Sequence, residues 1–230
     1  MSPLKKTRSR LIAFLTLLAV CLPWVSVAAK ETEPEDWFTV NEINDEIFER
    51  INGKSYKEGC RVPLEELRYL TVAHWTPEGT VERGELICNR SIASDLIDIF
   101  RNLYEAGYPI ERMRLIDEYG ADDVESMLAN NTSCFNFRRV AGSKTLSRHS
   151  LGLAIDINPL YNPCLYTRSG KVSPANGKAY AHNRAGIKSC PFPVIDRSDL
   201  CYRLFTEHGF IWGGGWRYTK DYQHFEKASK

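Results

Sequence analysis

The sequence predicts an α+β fold, a single compact domain with a mainly antiparallel sheet flanked by helices. Strand-like apolar segments occur as a hairpin and as short single strands, and segments with helical spacing lie between them. Regular strand–helix–strand units, which would indicate a parallel sheet, are missing from the pattern. The 230 residues suffice for one domain of ordinary size after an N-terminal targeting segment.

The first 29 residues have the composition of a signal peptide. Four Lys and Arg residues precede the apolar run LIAFLTLLAVCLPWV, and Ala28 and Ala29 supply a cleavage site. Because the apolar run approaches the length that spans a bilayer, an uncleaved membrane anchor is the alternative interpretation. We expect an exported protein (periplasmic, secreted or attached to the cell envelope). The expected division is 1–29 signal peptide, 30–66 leader and N-terminal segment, and 67–230 main domain.

Charge and cysteine content narrow the function classes. Four of the 30 Lys and Arg residues lie in segment 1–29, which leaves 26 against 29 Asp and Glu, a net charge of −3. No long basic run remains, so nucleic acid is not an expected partner. No stable protein partner is implied, and we expect a monomer. The six remaining cysteines form no CxxC pair, which disfavours a zinc ribbon. Export permits disulfides, but sequence alone does not pair them.

The first predicted elements come from residues 67–131. LRYLTVAHW and ELICN flank the turn-rich TPEGTVERG and predict a β-hairpin. IASDLIDIFRNLYEAGYP has apolar residues at helical spacing and ends at Gly107 and Pro109. ERMRLID predicts a short strand, and ADDVESMLANN predicts a short helix whose acidic first residues suit the helix dipole.

The second half of the chain begins with a long segment of irregular composition. Residues 159–195 hold five prolines and predict a loop, and loops of this length are often functional. Ser198 is expected to cap a helix over DLCYRLFTEHG that ends at Gly209. The chain closes with FIWGGGWRYTKDYQHFE, which is aromatic-rich and strand-like.

The segment SRHSLGLAIDI, residues 147–157, carries an ionisable pair around a glycine. Asp156 lies in an apolar run that predicts a buried strand, where an ionised carboxylate is costly without a cation or hydrogen bonds. Gly152 allows the backbone to turn or to approach another segment closely, so that His149 and Asp156 can converge. Because zinc accepts both imidazole nitrogen and carboxylate oxygen, the pair makes half of a zinc site.

A further histidine is needed to complete such a site. His224 stands in DYQHFE, where Phe225 can pack inward and Asp221 lies three residues upstream. Together with His149 and Asp156 it would give three protein ligands and leave a fourth position for water, a pattern typical of catalytic zinc. The other histidines of the chain are His74, His182 and His208.

Two more residue types suit hydrolysis of an amide. A carboxylate at Asp221 could accept a proton from zinc-bound water and pass it to the leaving amine. Residues three apart on an ideal strand face opposite sides, so the chain must turn or bulge near Tyr222 for Asp221 and His224 to cooperate. A positive group is needed for the charge that develops on the carbonyl oxygen. Arg138 and Arg139 are candidates, and we expect Arg139 to point to solvent.

These motifs resemble the zinc D-alanyl-D-alanine carboxypeptidase family, whose relatives include vancomycin-resistance dipeptidases and phage L-alanyl-D-glutamate endolysins. The family pattern of Ser-x-His, then Gly, then Ala-x-Asp is matched by SRHSLGLAID, and the later acid-x-x-His is matched by DYQH. NTSCFNFR is similar to the family's upstream segment and makes Arg138 the matching arginine. The resemblance runs from about Leu67 to Glu226. Several relatives have glutamate where this chain has Asp221, which leaves the subfamily open.

The resemblance implies a hedgehog/DD-peptidase-like α+β domain at 67–230 and a zinc peptidase that acts on peptidoglycan stem peptides. It implies that His149, Asp156 and His224 bind Zn²⁺, that Asp221 is the general base and that Arg138 polarises the carbonyl, with metal-bound water as nucleophile. A D-alanyl-D-alanine carboxypeptidase is the leading interpretation. An L-alanyl-D-glutamate endopeptidase of the same family and a non-catalytic wall-binding module remain alternatives, as does a zinc hydrolase of another amide.

Two further groups of residues could contact a substrate. Cations in the long loop could bind a terminal carboxylate, although a solvated loop is the alternative: Arg168, Lys171, His182 and Arg184. Aromatic residues could line a cleft, although core packing is the alternative: Tyr161, Tyr180, Trp212 and Trp216. The motifs do not decide between a carboxypeptidase and an endopeptidase.

Overall fold

The structure is a computed structural model that describes residues 33–187, 190 and 192–228. The predicted signal peptide, residues 1–29, lies outside the described residues. These described residues cluster into one compact unit. Among the described helices, none is long and apolar enough to cross a membrane.

Short helices and antiparallel strands make up this unit, which confirms the predicted α+β class. The strands are β1 (Thr39–Asn41), β2 (Leu67–Trp75), β3 (Val81–Asn89), β4 (Ala154–Asp156), β5 (Cys164–Tyr166), β6 (Lys171–Ser173), β7 (Ile211–Trp212), β8 (Thr219–Asp221) and β9 (His224–Glu226). The α-helices are α1 (Asp45–Ile51), α2 (Ala93–Glu105), α3 (Asp123–Leu128) and α4 (Leu200–Glu207). The 3-10 helices are Pro34–Trp37, Leu64–Glu66, Arg90–Ile92, Ile116–Tyr119, Arg148–Leu151, Ala175–Tyr180, Arg184–Gly186 and Gly213–Gly215.

In the described part of the chain the strands form three small antiparallel sheets, where the sequence predicted one main sheet. Their orders are β1-β2-β3, β4-β9-β7 and β6-β5-β8. The predicted hairpin is confirmed, since β2 pairs with β3 along its full length. Because β9 lies between β4 and β7, the C-terminal strand is brought beside the strand that carries Asp156.

The segment before residue 67 takes part in the fold. β1 pairs with β2, with Val40 opposite Leu70. On α1, Ile47 and Ile51 are buried and pack with Leu67 in a small second core. The range 30–66, expected to be a leader and N-terminal segment, therefore contributes a strand and a helix.

The main core lies between α2 and the sheets. The amphipathic pattern of α2 buries Leu96, Ile99 and Phe100 against apolar residues of β2 and β3. Phe205 of α4 stacks on Phe225 of β9, with ring centroids 4.4 Å apart. Burial of each such side chain contributes roughly 1.5–3 kcal/mol, so this core fixes the position of β9.

Three predicted elements differ in the structure. ERMRLID is not a strand, because the side chain of Asn131 accepts from the amide of Arg114 at 2.8 Å and donates to its carbonyl at 3.0 Å in place of a neighbouring strand. The cap of α4 is Asp199, whose carboxylate accepts from the amide of Cys201, whereas Ser198 bonds to Asp196. The predicted loop 159–195 contains β5, β6 and the 3-10 helix Ala175–Tyr180.

Candidate metal centre

The segment around Gly152 brings the first two predicted ligands together. His149 lies in the 3-10 helix Arg148–Leu151, which the side chain of Ser147 caps by accepting from the amide of His149. Gly152 then adopts a φ of +65°, and a Cβ atom there would lie 2.6 Å from the amide nitrogen of Asn89. The prediction that Gly152 permits both a turn and a close backbone approach is therefore confirmed. Asp156 follows as the last residue of β4.

The chain turns between Asp221 and His224, as the sequence required. Asp221 ends β8 and pairs with Cys164 of β5, whereas His224 begins β9 and pairs with Asp156 of β4. Tyr222 and the residue after it thus carry the chain from one sheet to another. Both Asp221 and His224 line a single cavity as a result.

The side chains of His149, Asp156 and His224 converge inside the protein. His149 Nε2 lies 3.3 Å from Asp156 Oδ2, His224 Nδ1 lies 3.0 Å from Asp156 Oδ1, and the two imidazole nitrogens are 3.3 Å apart. A tetrahedral zinc ion with bonds of about 2.0–2.1 Å would separate its ligand atoms by about 3.3 Å. The observed distances and the N,N,O donor set therefore fit a zinc ion, and all three residues are buried.

Each imidazole has a second contact that fixes its orientation. Nδ1 of His149 lies 2.5 Å from the carbonyl oxygen of Cys134, and Nε2 of His224 lies 3.1 Å from Glu226 Oε2. Assigned from these acceptors, both outer nitrogens carry a proton and donate, so that His149 Nε2 and His224 Nδ1 are the nitrogens available to bind a metal ion. Metal-binding histidines commonly make this kind of outer hydrogen bond.

Sequence reasoning missed Glu226, although a signal was present. Residues two apart on a strand face the same side, so the HFE motif places Glu226 beside His224. The hydrogen bond with His224 lowers the pKa of Glu226, which keeps the carboxylate charged. The carboxylate is thus suited to hold the protonated Nε2 of His224.

The electrostatics of the three converging groups favour a bound cation. Burial by itself would raise the pKa of Asp156, but the charge and hydrogen bonds of His149 and His224 outweigh it and lower the pKa. In the absence of a metal ion, burial lowers the pKa of His224, but hydrogen bonds with Asp156 and Glu226 outweigh it and raise the pKa to about 10. A positive charge is therefore stabilised at this position, and a metal ion would displace a proton from His224.

Asp221 lines the same cavity, and one of its carboxylate oxygens accepts no hydrogen bond from the described residues. Burial raises the pKa of Asp221 to about 6, and Asp156 adds to the rise while His224 opposes it. Its Oδ1 atom is buried and has no hydrogen-bond partner among the described residues. A carboxylate with these properties can take up and return a proton near neutral pH.

Arg138 lines the cavity and is held by a carboxylate that the sequence did not single out. Its Nε donates to Asp123 Oδ1 at 2.8 Å, and Asp123 lines the cavity as well. Burial raises the pKa of Asp123, although the charge of Arg138 opposes this. The neighbouring Arg139 is exposed, as expected, and donates to the carbonyl of Lys144.

The cavity that these residues line has a volume of about 430 Å³. Of the aromatic candidates, Trp216 lines it, with its ring centroid 5.3 Å from that of His224. Trp212 packs on Tyr222 in the interior, and Tyr161 stacks against Phe192. Core packing is therefore the better description of Trp212 and Tyr161.

The loop cations have different environments. Lys171 lines the cavity, whereas Arg168 lies over the ring of Tyr218. Arg184 is half-buried and does not line the cavity. Its guanidinium donates to the carbonyls of Tyr161, Tyr180 and Ile195 and to Asn162 Oδ1, and thereby ties together the segment that the sequence predicted as a loop.

The cysteines of the described region are free thiols, and no disulfide contributes to the site: Cys60, Cys88, Cys134, Cys164, Cys190 and Cys201. Burial raises the pKa of Cys164, which lines the cavity, beyond the range in which a thiolate forms. Its thiol is therefore a packing group there.

Comparison with known families agrees with this geometry. A family model described as D-alanyl-D-alanine carboxypeptidase matches residues 141–227. Residues 141–227 are thus similar to the D-alanyl-D-alanine carboxypeptidase family. The match confirms the resemblance drawn from the motifs, and the peptidase segment contains His149, Asp156, Asp221 and His224. Arg138 lies just before it. No curated protein and no solved structure matched the chain.

Proposed function

We propose that this protein is an exported zinc peptidase that hydrolyses peptidoglycan stem peptides, with release of a terminal D-alanine as its leading reaction. The observation that carries the proposal is the convergence of His149, Asp156 and His224 within 3.0–3.3 Å in a segment of the carboxypeptidase family. The basic and apolar composition of residues 1–29 supports export.

The donor set supports zinc over the hard divalent cations. Magnesium and calcium prefer oxygen ligands in larger number, whereas two imidazole nitrogens and one carboxylate are a common zinc set. When bound, zinc would polarise a carbonyl group and lower the pKa of a water molecule. With three protein ligands, the site would leave a fourth position for a water molecule or the substrate.

Asp221 is the group best suited to move the proton. Its Oδ1 has no hydrogen-bond partner among the described residues, so it can accept a proton as the nucleophile forms and deliver it to the leaving amine. The pKa of about 6 leaves Asp221 mostly ionised at neutral pH while still able to hold the proton briefly. The outer hydrogen bonds of His149 and His224 keep the ligand set fixed during this transfer.

Arg138 is the cation best suited to bind the carbonyl oxygen. Its bond to Asp123 uses Nε, and a guanidinium carries four further N–H donors on its two Nη atoms. Asp123 therefore holds Arg138 at the cavity wall and leaves donors for a substrate. Such donors stabilise the charge that develops on a carbonyl oxygen.

The products formed from defined stem peptides test the proposal. We expect zinc-loaded protein to release free D-alanine from a pentapeptide stem, measured by mass spectrometry, and His149→Ala to release none. A cut between L-alanine and the D-acid would instead establish an endopeptidase. Wall binding without any product would establish a non-catalytic module, and activity restricted to other amides would overturn the wall substrate.

A further inference from the structure

A second cavity beside the catalytic one is lined mainly by cations. It has a volume of about 840 Å³, which is within the range of substrate sites. We call it the basic groove, and its charged residues are Lys57, Glu58, Arg61, Arg138, Arg139 and Lys144.

The basic groove continues directly from the catalytic cavity. Arg138, Thr145 and Leu146 line both spaces. An extended peptide advances about 3.3 Å per residue, so a substrate with its scissile bond near His149 would enter the groove within a few residues. The two spaces can therefore bind successive parts of one peptide chain.

The charge of the basic groove is not balanced by the protein. Arg138 is paired with Asp123, but Lys57, Arg61, Arg139 and Lys144 are exposed and have no carboxylate partner in the described part of the chain. Against these four cations the groove has one acid, Glu58, which gives it a net charge of +3. Residues 30–230 as a whole have a net charge of −3, so the groove is a local concentration of positive charge.

We propose that the basic groove binds carboxylates of the substrate peptide that lie away from the scissile bond. The inference rests on the proposed function and specifies its substrate class: an acidic peptide, and among stem peptides those whose D-glutamate and diamino-acid carboxylates are free. Shared walls with the catalytic cavity favour a continuous peptide over a separate anionic polymer, because the peptide reaches both spaces at once.

Binding of a matched pair of peptides tests the groove. One fluorescent stem peptide carries free carboxylates and the other has the same residues amidated, and both are titrated by anisotropy against zinc-loaded Asp221→Asn protein. In that background we expect the triple change Lys57→Gln, Arg61→Gln and Lys144→Gln to weaken binding of the acidic peptide about tenfold. The affinity for the amidated peptide should change less than about twofold. Addition of about 0.5 M NaCl should remove the difference in affinity between the two peptides.

A second triple variant controls for loss of surface charge. Arg83, Lys178 and Arg203 are exposed and lie outside the groove, and their change to Gln should leave both peptides unaffected. If the groove variant weakened binding of both peptides equally, or of neither, the inference would be overturned. Saturable binding of a glycerol-phosphate oligomer in place of the acidic peptide would overturn it too. Turnover by wild-type protein separately tests the proposed function.

Discussion

Gly152→Ala is the substitution whose effect on the metal centre is best determined by the structure. At φ +65° an alanine is strained by about 1–2 kcal/mol, because its Cβ approaches the following carbonyl oxygen. The new Cβ would also lie 2.6 Å from Asn89 N and 3.0 Å from Cys88 C, and both are backbone atoms that cannot rotate away. The substitution therefore forces the turn between His149 and Asp156 away from β3.

The magnitude follows from the two contacts that must change. Separation of the segments breaks the hydrogen bond from Asn89 N to Gly152 O, 2.9 Å long, at a cost of about 1 kcal/mol. Overpacking against backbone adds about 1–3 kcal/mol. Gly142→Ala is the matched control, because Gly142 has a φ of +71° but no atom of the described residues within 4 Å of its Cβ position. We expect Gly152→Ala to lower the free energy of unfolding by about 2–4 kcal/mol more than Gly142→Ala.

Urea denaturation followed by tryptophan fluorescence measures this difference, and chelator competition measures zinc affinity in the same samples. We expect Gly152→Ala to weaken zinc binding as well, since His149 and Asp156 lie on either side of the turn that Gly152 forms. Equal stabilities for Gly152→Ala and Gly142→Ala, together with unchanged zinc affinity, would refute the argument that the close approach of Gly152 to β3 positions the ligands.

Three further predictions concern the proton carrier, the support of a ligand and the dependence of stability on pH. Asp221→Asn should lower kcat by about 10²- to 10⁴-fold with zinc content unchanged, measured by product release and metal analysis. Glu226→Ala removes the hydrogen-bond acceptor of His224 Nε2 and should lower zinc affinity about tenfold, as measured by chelator competition. Glu207→Ala, a change at an exposed residue of α4, should leave zinc affinity unchanged. Glu85→Gln should lower the free energy of unfolding by about 1 kcal/mol at pH 7, and the deficit should shrink below about pH 4 in urea melts.

The sign of the pH effect follows from the contacts of Glu85. Two hydrogen bonds from Arg50 lower the pKa of Glu85 below its ordinary value, despite the opposing effect of burial. The stabilisation is therefore complete above the pKa of the unfolded chain and is lost as the pH falls through the lower pKa of the folded protein. Glu118 contacts the same Arg50 from a more exposed position at 3.4 Å, so Glu118→Gln should change stability by less than about 0.5 kcal/mol.

Contradictory outcomes are specific to each of these changes. Full activity of Asp221→Asn would show that Asp221 is not the proton carrier. A zinc affinity equal to wild type in Glu226→Ala would mean that the fold alone orients His224. A deficit for Glu85→Gln that persists at pH 3 would mean that packing, not charge, accounts for its effect.

The three residues of the candidate metal centre could be predicted from sequence because each has a local chemical signal. Asp156 is a carboxylate in an apolar strand, which burial makes costly without a cation, and His224 follows an acid at a spacing that required a turn. The structure supplies both the pairing of Asp156 with His224 and the change of sheet at Tyr222. The amphipathic spacing of α2 was likewise sufficient to predict a helix.

Other features depend on contacts that no local pattern encodes. The 3-10 helix Gly213–Gly215 can approach β8 closely because Gly213 has no side chain, and a Cβ there would lie 2.8 Å from the carbonyl oxygen of Asp221. Asn131 replaces a neighbouring strand for Arg114 from 17 positions away. Arg184 is half-buried and donates to carbonyl groups distant in sequence, whereas the polar composition of its segment suggested a solvated loop.

The N-terminal segment illustrates the same limit. β1 has three residues, too few to show an alternating pattern, and it follows an acidic segment that contains a proline. Its pairing with β2 becomes evident only from the register that places Val40 opposite Leu70. A short strand of this kind is specified by the edge that it covers rather than by its own sequence.

Anomalous diffraction at the zinc absorption edge, from crystals of zinc-loaded protein, tests directly whether His149, Asp156 and His224 bind one zinc ion. We expect one strong peak per chain, about 2.0–2.2 Å from His149 Nε2, His224 Nδ1 and a carboxylate oxygen of Asp156, and no such peak in His224→Ala. A peak at other residues, or no peak between these three side chains at full zinc loading, would contradict it.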